Sequence, residues 1–503
     1  MKDKKNNILF VVTIIFLATM LVAATYAYFS SRTNSGDITD VLITANTVDT
    51  FNFEVGNSVD ITMNQENFAN GKGNIIGSTF AKTMLSANNK TNSVTEHYYL
   101  YLNITNNTFT YTQNENTPEI LLSISDDNGN YIDSLDDLEY KTVVDGNGKN
   151  VSGFDITNKN GLINLIENRE IIANSFKEEK WNVDVIFVNY SYDQSKNAGK
   201  QFTAKLMIQK NRLLLDYVYS QYTGVQGDNN IYYHDENLEN GANDNSYRYA
   251  GANPNNYVCF GINSEICPID NLYRIIGLFD GNIKLIKADF ANSNLLGTDG
   301  EFSQNVSTVG TYKGDLSTID YYYWSYKNDN KAANNWSNSL LNLVNLNTNF
   351  IKNIGEEWAD KIKTNKWIIG GNKYSLIREQ IASIAYQNEI ISPIDSSTYE
   401  AKVGLMYVSD YGLAASPSAW TLTMVSYNRI PATNNNWMFI GLIESTITKY
   451  SGNSISSFYI NGSGNVDTNS NDIARGIRPV FYLKENISYI SGEGTKENPI
   501  RIG

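Results

Sequence analysis

Two cysteines and two histidines carry the sharpest chemistry in this chain, and their spacing narrows what that chemistry is. Cys259 and Cys267 stand eight positions apart. In an oxidising compartment such a pair closes a small loop as a disulfide, stabilising it by ~2–3 kcal/mol when the geometry is unstrained. The other reading is two unpaired thiols that pack locally. A structural zinc site needs four ligands, and His97 and His234 are remote in sequence from the pair and from each other. A serine or cysteine nucleophile needs a neighbouring base, yet the two histidines fall in different expected domains. The carboxylates to weigh for acid/base work are Glu356, Glu357, Asp360, Asp410 and Glu444. None stands in a motif that raises a pKa into the working range, and Glu356 and Glu357 read as a solvated helix face. No catalytic, cofactor or metal residue is therefore assigned, and an enzyme is not expected. Calcium is the one possible ion, because 228–230, 240–245 and 465–472 are runs rich in Asn and Asp. They lack the spacing of an EF-hand loop, and turn formation explains them as well.

Recognition is the chemistry the sequence offers more readily. Between apolar segments at 437–442 and 477–483, both expected as strands, lies a polar-aromatic stretch that includes Tyr450, Ser454, Tyr459, Asn461, Asn465 and Asn469. Tyr, Ser and Asn combine rigid contact area with adaptable hydrogen bonds, so these six form a candidate binding face. A polar hairpin without a partner is the competing reading. Trp437, Arg478 and Pro479 are expected to be structural. Arg478 sits among Ile477, Val480 and Tyr482, which must pack, and its guanidinium can bond several loop carbonyls.

The elements that must position these residues follow from length, charge and periodicity. A chain of 503 residues is long enough for two or three domains. With 53 acidic against 39 basic residues the net charge is −14, which leaves no basic surface for phosphate backbones and excludes nucleic acid as a partner. Lys2, Lys4 and Lys5 precede an apolar run at 8–29. At ~1.5 Å per residue that run spans the roughly 30 Å hydrocarbon core, and its positive flank sends the remaining chain outward. It is either a membrane anchor or a signal peptide cut near Ala27. The expected location is the cell surface or the outside of the cell.

The domain plan is 1–32 signal or transmembrane segment, 33–210 β-sandwich, 211–235 linker and 236–503 an α+β domain, making the protein mainly β. Period-two alternation marks strands at 96–104, 119–124, 181–188 and 201–209, with turn signals at 126–129, 145–148 and 196–199. That density of strands argues for a two-sheet sandwich of immunoglobulin-like proportions. In the second domain Asp280 and Gly281 predict a tight hairpin turn, 338–346 and 350–362 predict helices, 366–374 a hairpin closed by Gly370 and Gly371, and 375–386 another helix. Phe350, Ile354, Trp358 and Ile362 would share one helix face.

Residues 24–30 resemble the export signals of camelysin and the TasA biofilm-matrix fibre proteins of Gram-positive bacteria, a likeness of about 15 residues; the strand order of the first domain is similar to theirs. Residues 401–416, Asn436 with Trp437, and 476–483 look like a large family of surface proteins from gut Firmicutes and their wall-poor relatives, over roughly 215–503. The C-terminal part of that match is similar to the formylglycine-generating-enzyme variety of the C-type lectin fold. In lectin-fold proteins diversified by retroelements, the variable surface occupies this part. The formylglycine-generating enzymes place their cysteine pair near the C-terminus, whereas Cys259 and Cys267 lie near the start of the domain, so the oxidase activity does not carry over. The sugar-specificity tripeptides of calcium-dependent lectins are also missing. The resemblances imply a surface or secreted display protein whose lectin-like domain binds an extracellular glycan or protein. The alternative is a structural fibre subunit that self-assembles through its N-terminal domain.

Overall fold

The computed structural model describes residues 49–68, 72–87, 93–114, 116–136, 138–327 and 333–503. The apolar run at 8–29 and the cleavage point at Ala27 lie outside them. Among the described residues no helix is long and apolar enough to cross a membrane. The protein is mainly β, and it divides into two compact units, Met1–Arg212 and Leu213–Gly503.

Among its described residues the first unit contains ten strands: β1 (Thr50–Val55), β2 (Val59–Thr62), β3 (Ile75–Ser86), β4 (Val94–Asn107), β5 (Ile120–Asp126), β6 (Tyr140–Val144), β7 (Asn150–Asp155), β8 (Gly161–Ala173), β9 (Phe176–Phe187) and β10 (Gln201–Gln209). They form two antiparallel sheets, ordered β1-β3-β9-β5-β7-β6 and β2-β10-β4-β8. The inward face alternates as the sequence does. Trp181, Val183, Val185 and Phe187 on β9 and Phe202, Ala204, Leu206 and Ile208 on β10 are buried in one shared apolar core. A one-residue slip would turn each of these sets outward, so the apolar pattern fixes the register. At the β6–β7 turn Asp145 accepts the amides of Asn147 and Lys149, each at 2.9 Å, holding the tight connection closed.

The second unit is built around a sheet in which the chain's closing segment becomes a central strand. Val480–Leu483 pairs antiparallel with Asn282–Lys287 and also contacts Ile362–Lys363 and Val403–Gly404. Leu272–Phe279 continues the sheet through the Asp280–Gly281 turn and carries Tyr247–Tyr249 and Tyr257–Cys259. A second sheet places Gly371–Asn372, Glu444–Tyr450, Ser456–Ile460 and Val466–Ser470 side by side. Cys259 and Cys267 are joined.

Several local expectations are corrected. The 211–235 segment is no linker: Leu214–Ser220 is a helix of the second unit, with Leu214, Leu215 and Val218 buried and Tyr217 stacked on Tyr489 at 4.1 Å. Leucines at that spacing gain more from burial than from serving as a tether. The expected hairpin at 366–374 does not form. Asn365–Ile368 pairs with Thr398–Ala401, and Gly371–Asn372 runs parallel to the strand containing Lys449 and Tyr450. Gly370 is needed for a different reason, since a Cβ there would fall 1.5 Å from the Asp395 carbonyl oxygen. Residues 437–442 are a turn-rich loop rather than a strand. The helix expected at 338–346 is a π-helix over Leu341–Phe350; the one at 350–362 is interrupted at Gly355, although Phe350, Ile354, Trp358 and Ile362 are all buried; the one at 375–386 splits into Tyr374–Ile377 and Ala382–Tyr386. Apolar spacing located the buried positions there, while tertiary partners chose the backbone.

Candidate functional site

The six residues of the expected binding face lie on the meander of the second sheet, and the structure does not bring them together on one open surface. Tyr459 and Asn469 share a face, because Tyr459 stands opposite Ser445 and Asp467 while Asn469 stands opposite Ser457. Tyr459 is committed to Arg475, whose buried guanidinium lies 4.5 Å from its ring. Burial lowers that guanidinium to a pKa of about 10. Tyr450 packs edge-on against Phe458 and Tyr374. Ser454 belongs to the exposed connection at the strand end, and its carbonyl accepts the Asn334 amide at 2.8 Å. Asn461 folds the 461–465 turn by accepting the amides of Ser463 and Asn465, each at 3.0 Å. Asn465 in turn accepts the Asn428 amide at 2.6 Å.

The weighed carboxylates separate by environment. Glu356, Glu357 and Asp360 are exposed on a short helix. Asp410 is buried with Lys284 at 2.6 Å, and the ammonium is enclosed by Tyr407, Phe279, Tyr482 and Trp367. Burial lowers the Lys284 pKa even though Asp410 opposes the shift. Glu444 forms two 2.7 Å hydrogen bonds with Arg478, which also donates to the Met438 carbonyl at 2.6 Å. Burial pushes the Glu444 carboxyl up, against the pull of Arg478. Arg478 is thus structural, but its main partner is a carboxylate rather than a set of carbonyls. Pro479 is buried and its carbonyl accepts the Lys287 amide at 3.1 Å. Two of the Asn-rich runs form turns, with Asn229, Asn230, Asn240, Asn243 and Asn245 at positive φ, whereas most of 465–472 is the strand Val466–Ser470. Among the described residues no three His, Cys, Asp or Glu side chains cluster as a metal site.

A cleft of about 220 Å³ opens beside Trp437. Arg274, on strand Leu272–Phe279, forms part of its wall and is clamped between the rings of Tyr257 at 4.3 Å and Trp437 at 4.4 Å. The guanidinium donates to Asn256 Oδ1 at 2.7 Å and to the Pro254 carbonyl at 3.1 Å, and the Trp437 indole donates to the Tyr249 carbonyl at 2.8 Å. Burial lowers the Arg274 pKa to about 10, with Arg478 adding to the shift. The next strand, Asn282–Lys287, delivers Asp289. Its carboxylate accepts the Phe290 amide at 2.7 Å, the Asp315 amide at 2.9 Å and the Tyr312 hydroxyl. Gly314 permits this approach, since a Cβ there would sit 2.4 Å from Asp289 Oδ2. Asp315 is paired with Lys496 at 2.6 Å. Lys313 donates to the Thr433 carbonyl at 2.6 Å and lies 4.8 Å from the Phe439 ring. Ile269, in the turn that follows the Cys259–Cys267 loop, lies on the cleft wall.

Of the residues singled out from the sequence, only Asn436 and Trp437 line this cleft. Arg274, Asp289, Lys313, Asp315 and Lys496 were missed. The sole local signal is Gly314 between two opposite charges, which reads as an ordinary turn. No family model, curated protein or solved structure matches the chain.

Proposed function

We propose that this chain is a bacterial cell-surface or secreted binding and display protein, in which the sandwich acts as a spacer and the second, lectin-like unit presents the Trp437 cleft for recognition of an extracellular ligand. The observation that carries this reading is the cleft itself, a concave site whose aromatic and charged walls are already fixed by hydrogen bonds, so little ordering is left for a ligand to bring about. The disulfide beside it fits an oxidising compartment. Screening the full chain, held in mild detergent, on a glycan array tests the reading, together with protease accessibility on intact cells. Selective array binding and surface cleavage are expected. A chain that stays intracellular, with two alkylatable thiols at Cys259 and Cys267, would end it.

A further inference from the structure

Charge in the cleft points to a ligand class more specific than a polar molecule. The walls carry three cations, Arg274, Lys313 and Lys496, against two carboxylates, Asp289 and Asp315, in a chain whose net charge is −14. Lys496 is cancelled by Asp315. Asp289 accepts from three neutral donors, the adjoining Phe290 amide and the Tyr312 hydroxyl and Asp315 amide of the connection between Phe302–Ser307 and Thr318–Tyr322. Arg274 and Lys313 hydrogen-bond only to carbonyl oxygens and one amide, and among the described residues neither has a carboxylate partner within ion-pair distance. With Lys496 and Asp315 paired, Arg274 and Lys313 outweigh Asp289 by one positive charge on the walls of the cleft, which makes an anion the complementary occupant. Arg274 is 5% exposed, its three nitrogens already donate to Asn256, Trp437 and Pro254, and the two rings hold it still, so it contributes a fixed positive charge to the wall.

The remaining lining favours hydroxyl groups. Asn253 and Asn434 lie exposed on the rim with both donor and acceptor capacity, and the volume of about 220 Å³ is below the ~300–1,000 Å³ of pockets for drug-sized ligands, which limits the occupant to about one sugar ring. We propose that the cleft binds a sugar acid of one ring, its carboxylate met by Arg274 and Lys313 and its hydroxyls by the rim amides. This inference rests on the reading of the cleft as a recognition site and names the chemistry of its ligand.

Titration calorimetry of the full chain in detergent tests it, with sodium D-glucuronate as probe and D-glucose, sodium acetate and sodium sulfate as comparisons. Glucuronate is expected to bind at least tenfold more tightly than each comparison. Lys313→Met should weaken it at least tenfold, Lys313→Arg should restore most of the affinity, and Lys352→Met, which removes an equal charge from an exposed helical turn, should change nothing. Glucose binding as tightly as glucuronate would overturn the role of the carboxylate. Acetate or sulfate binding as tightly would overturn that of the ring. If glucuronate fails while the array reports a neutral glycan lost on Trp437→Phe, the sugar-acid inference falls and the recognition cleft stands; if no ligand is found by either method, both fall.

Discussion

The N-terminal sandwich buries three carboxylates, Glu119, Asp145 and Asp155, and no lysine or arginine among its described residues, whereas the C-terminal unit buries Arg248, Arg274, Arg475, Arg478, Lys284 and Lys287. In the sandwich the buried acids serve neighbouring backbone and side chains: Glu119 accepts from Thr112 and Gln194, and Asp155 from Thr157. Its order comes from long ladders and an alternating apolar face. The second unit has short strands and uses side-chain pairs to join segments far apart in sequence, such as Lys284 with Asp410 and Arg478 with Glu444. Buried pairs add little net stability but penalise every arrangement that separates them. An irregular unit is thus held in one conformation by buried charges paired across segments far apart in sequence, Asp410 with Lys284 and Arg248 and Glu444 with Arg478.

The contrast can be broken most strongly at Arg478. Arg478→Met leaves Glu444 buried and unpaired, and it should destabilise the second unit by ~3–5 kcal/mol. Scanning calorimetry should show the C-terminal transition falling while the N-terminal one holds. A common shift of both transitions would mean that the units unfold as one.

Leu102→Ala is the matching test in the sandwich. Leu102 is fully buried in its core, and truncation should lower the N-terminal transition alone by ~2–5 kcal/mol. Reduction of the Cys259–Cys267 bond comes next in size. It should cost the second unit ~2–3 kcal/mol, read as a drop in its urea midpoint with dithiothreitol and none in the sandwich.

The smallest expected effect is pH dependence through His234. This ring is buried, its Nδ1 accepts the Ala242 amide at 2.9 Å, and burial holds its pKa well below the ordinary value, with Arg248 adding to the shift. Between that depressed value and ~6.5, the unfolded chain binds the proton and the folded chain does not. The stability contributed is therefore fully present above about pH 6.5 and is lost as pH falls below it, by up to ~1.4 kcal/mol per pH unit. Glu389 and Glu444, whose carboxyls burial raises, act in the opposite sense. The histidine is isolated by subtracting the same curve for His234→Asn. A difference that stays flat from pH 7.5 to 5 would contradict a buried neutral ring.

What could be read from the sequence follows the same division. The 201–209 alternation gave a strand with those bounds, and Asp280 with Gly281 gave the hairpin turn, because both signals are local. The spacing of Phe350, Ile354, Trp358 and Ile362 found four buried positions even though the helix breaks between them. The hairpin at 366–374 and the strand at 437–442 failed because their partners, Thr398–Ala401 and the Arg274 side chain, lie far away in sequence. The cleft was illegible for a related reason. Lys313, Asp315 and Lys496 are charged residues in loops, which are ordinarily solvated, and only the fold sets them beside Arg274 and Asp289. The tyrosines and asparagines of the meander looked like a binding surface by composition, but Tyr459 covers Arg475 and Asn461 closes a turn.

Recognition of a sugar acid at the Trp437 cleft is tested most directly by hydrogen exchange of the full chain with and without saturating sodium glucuronate. Slowed exchange is predicted at amides within 252–257, 311–315 and 434–440, with no change across 94–107 or 176–187. Protection centred on 450–470 or on the sandwich strands, or no protection anywhere, would contradict it.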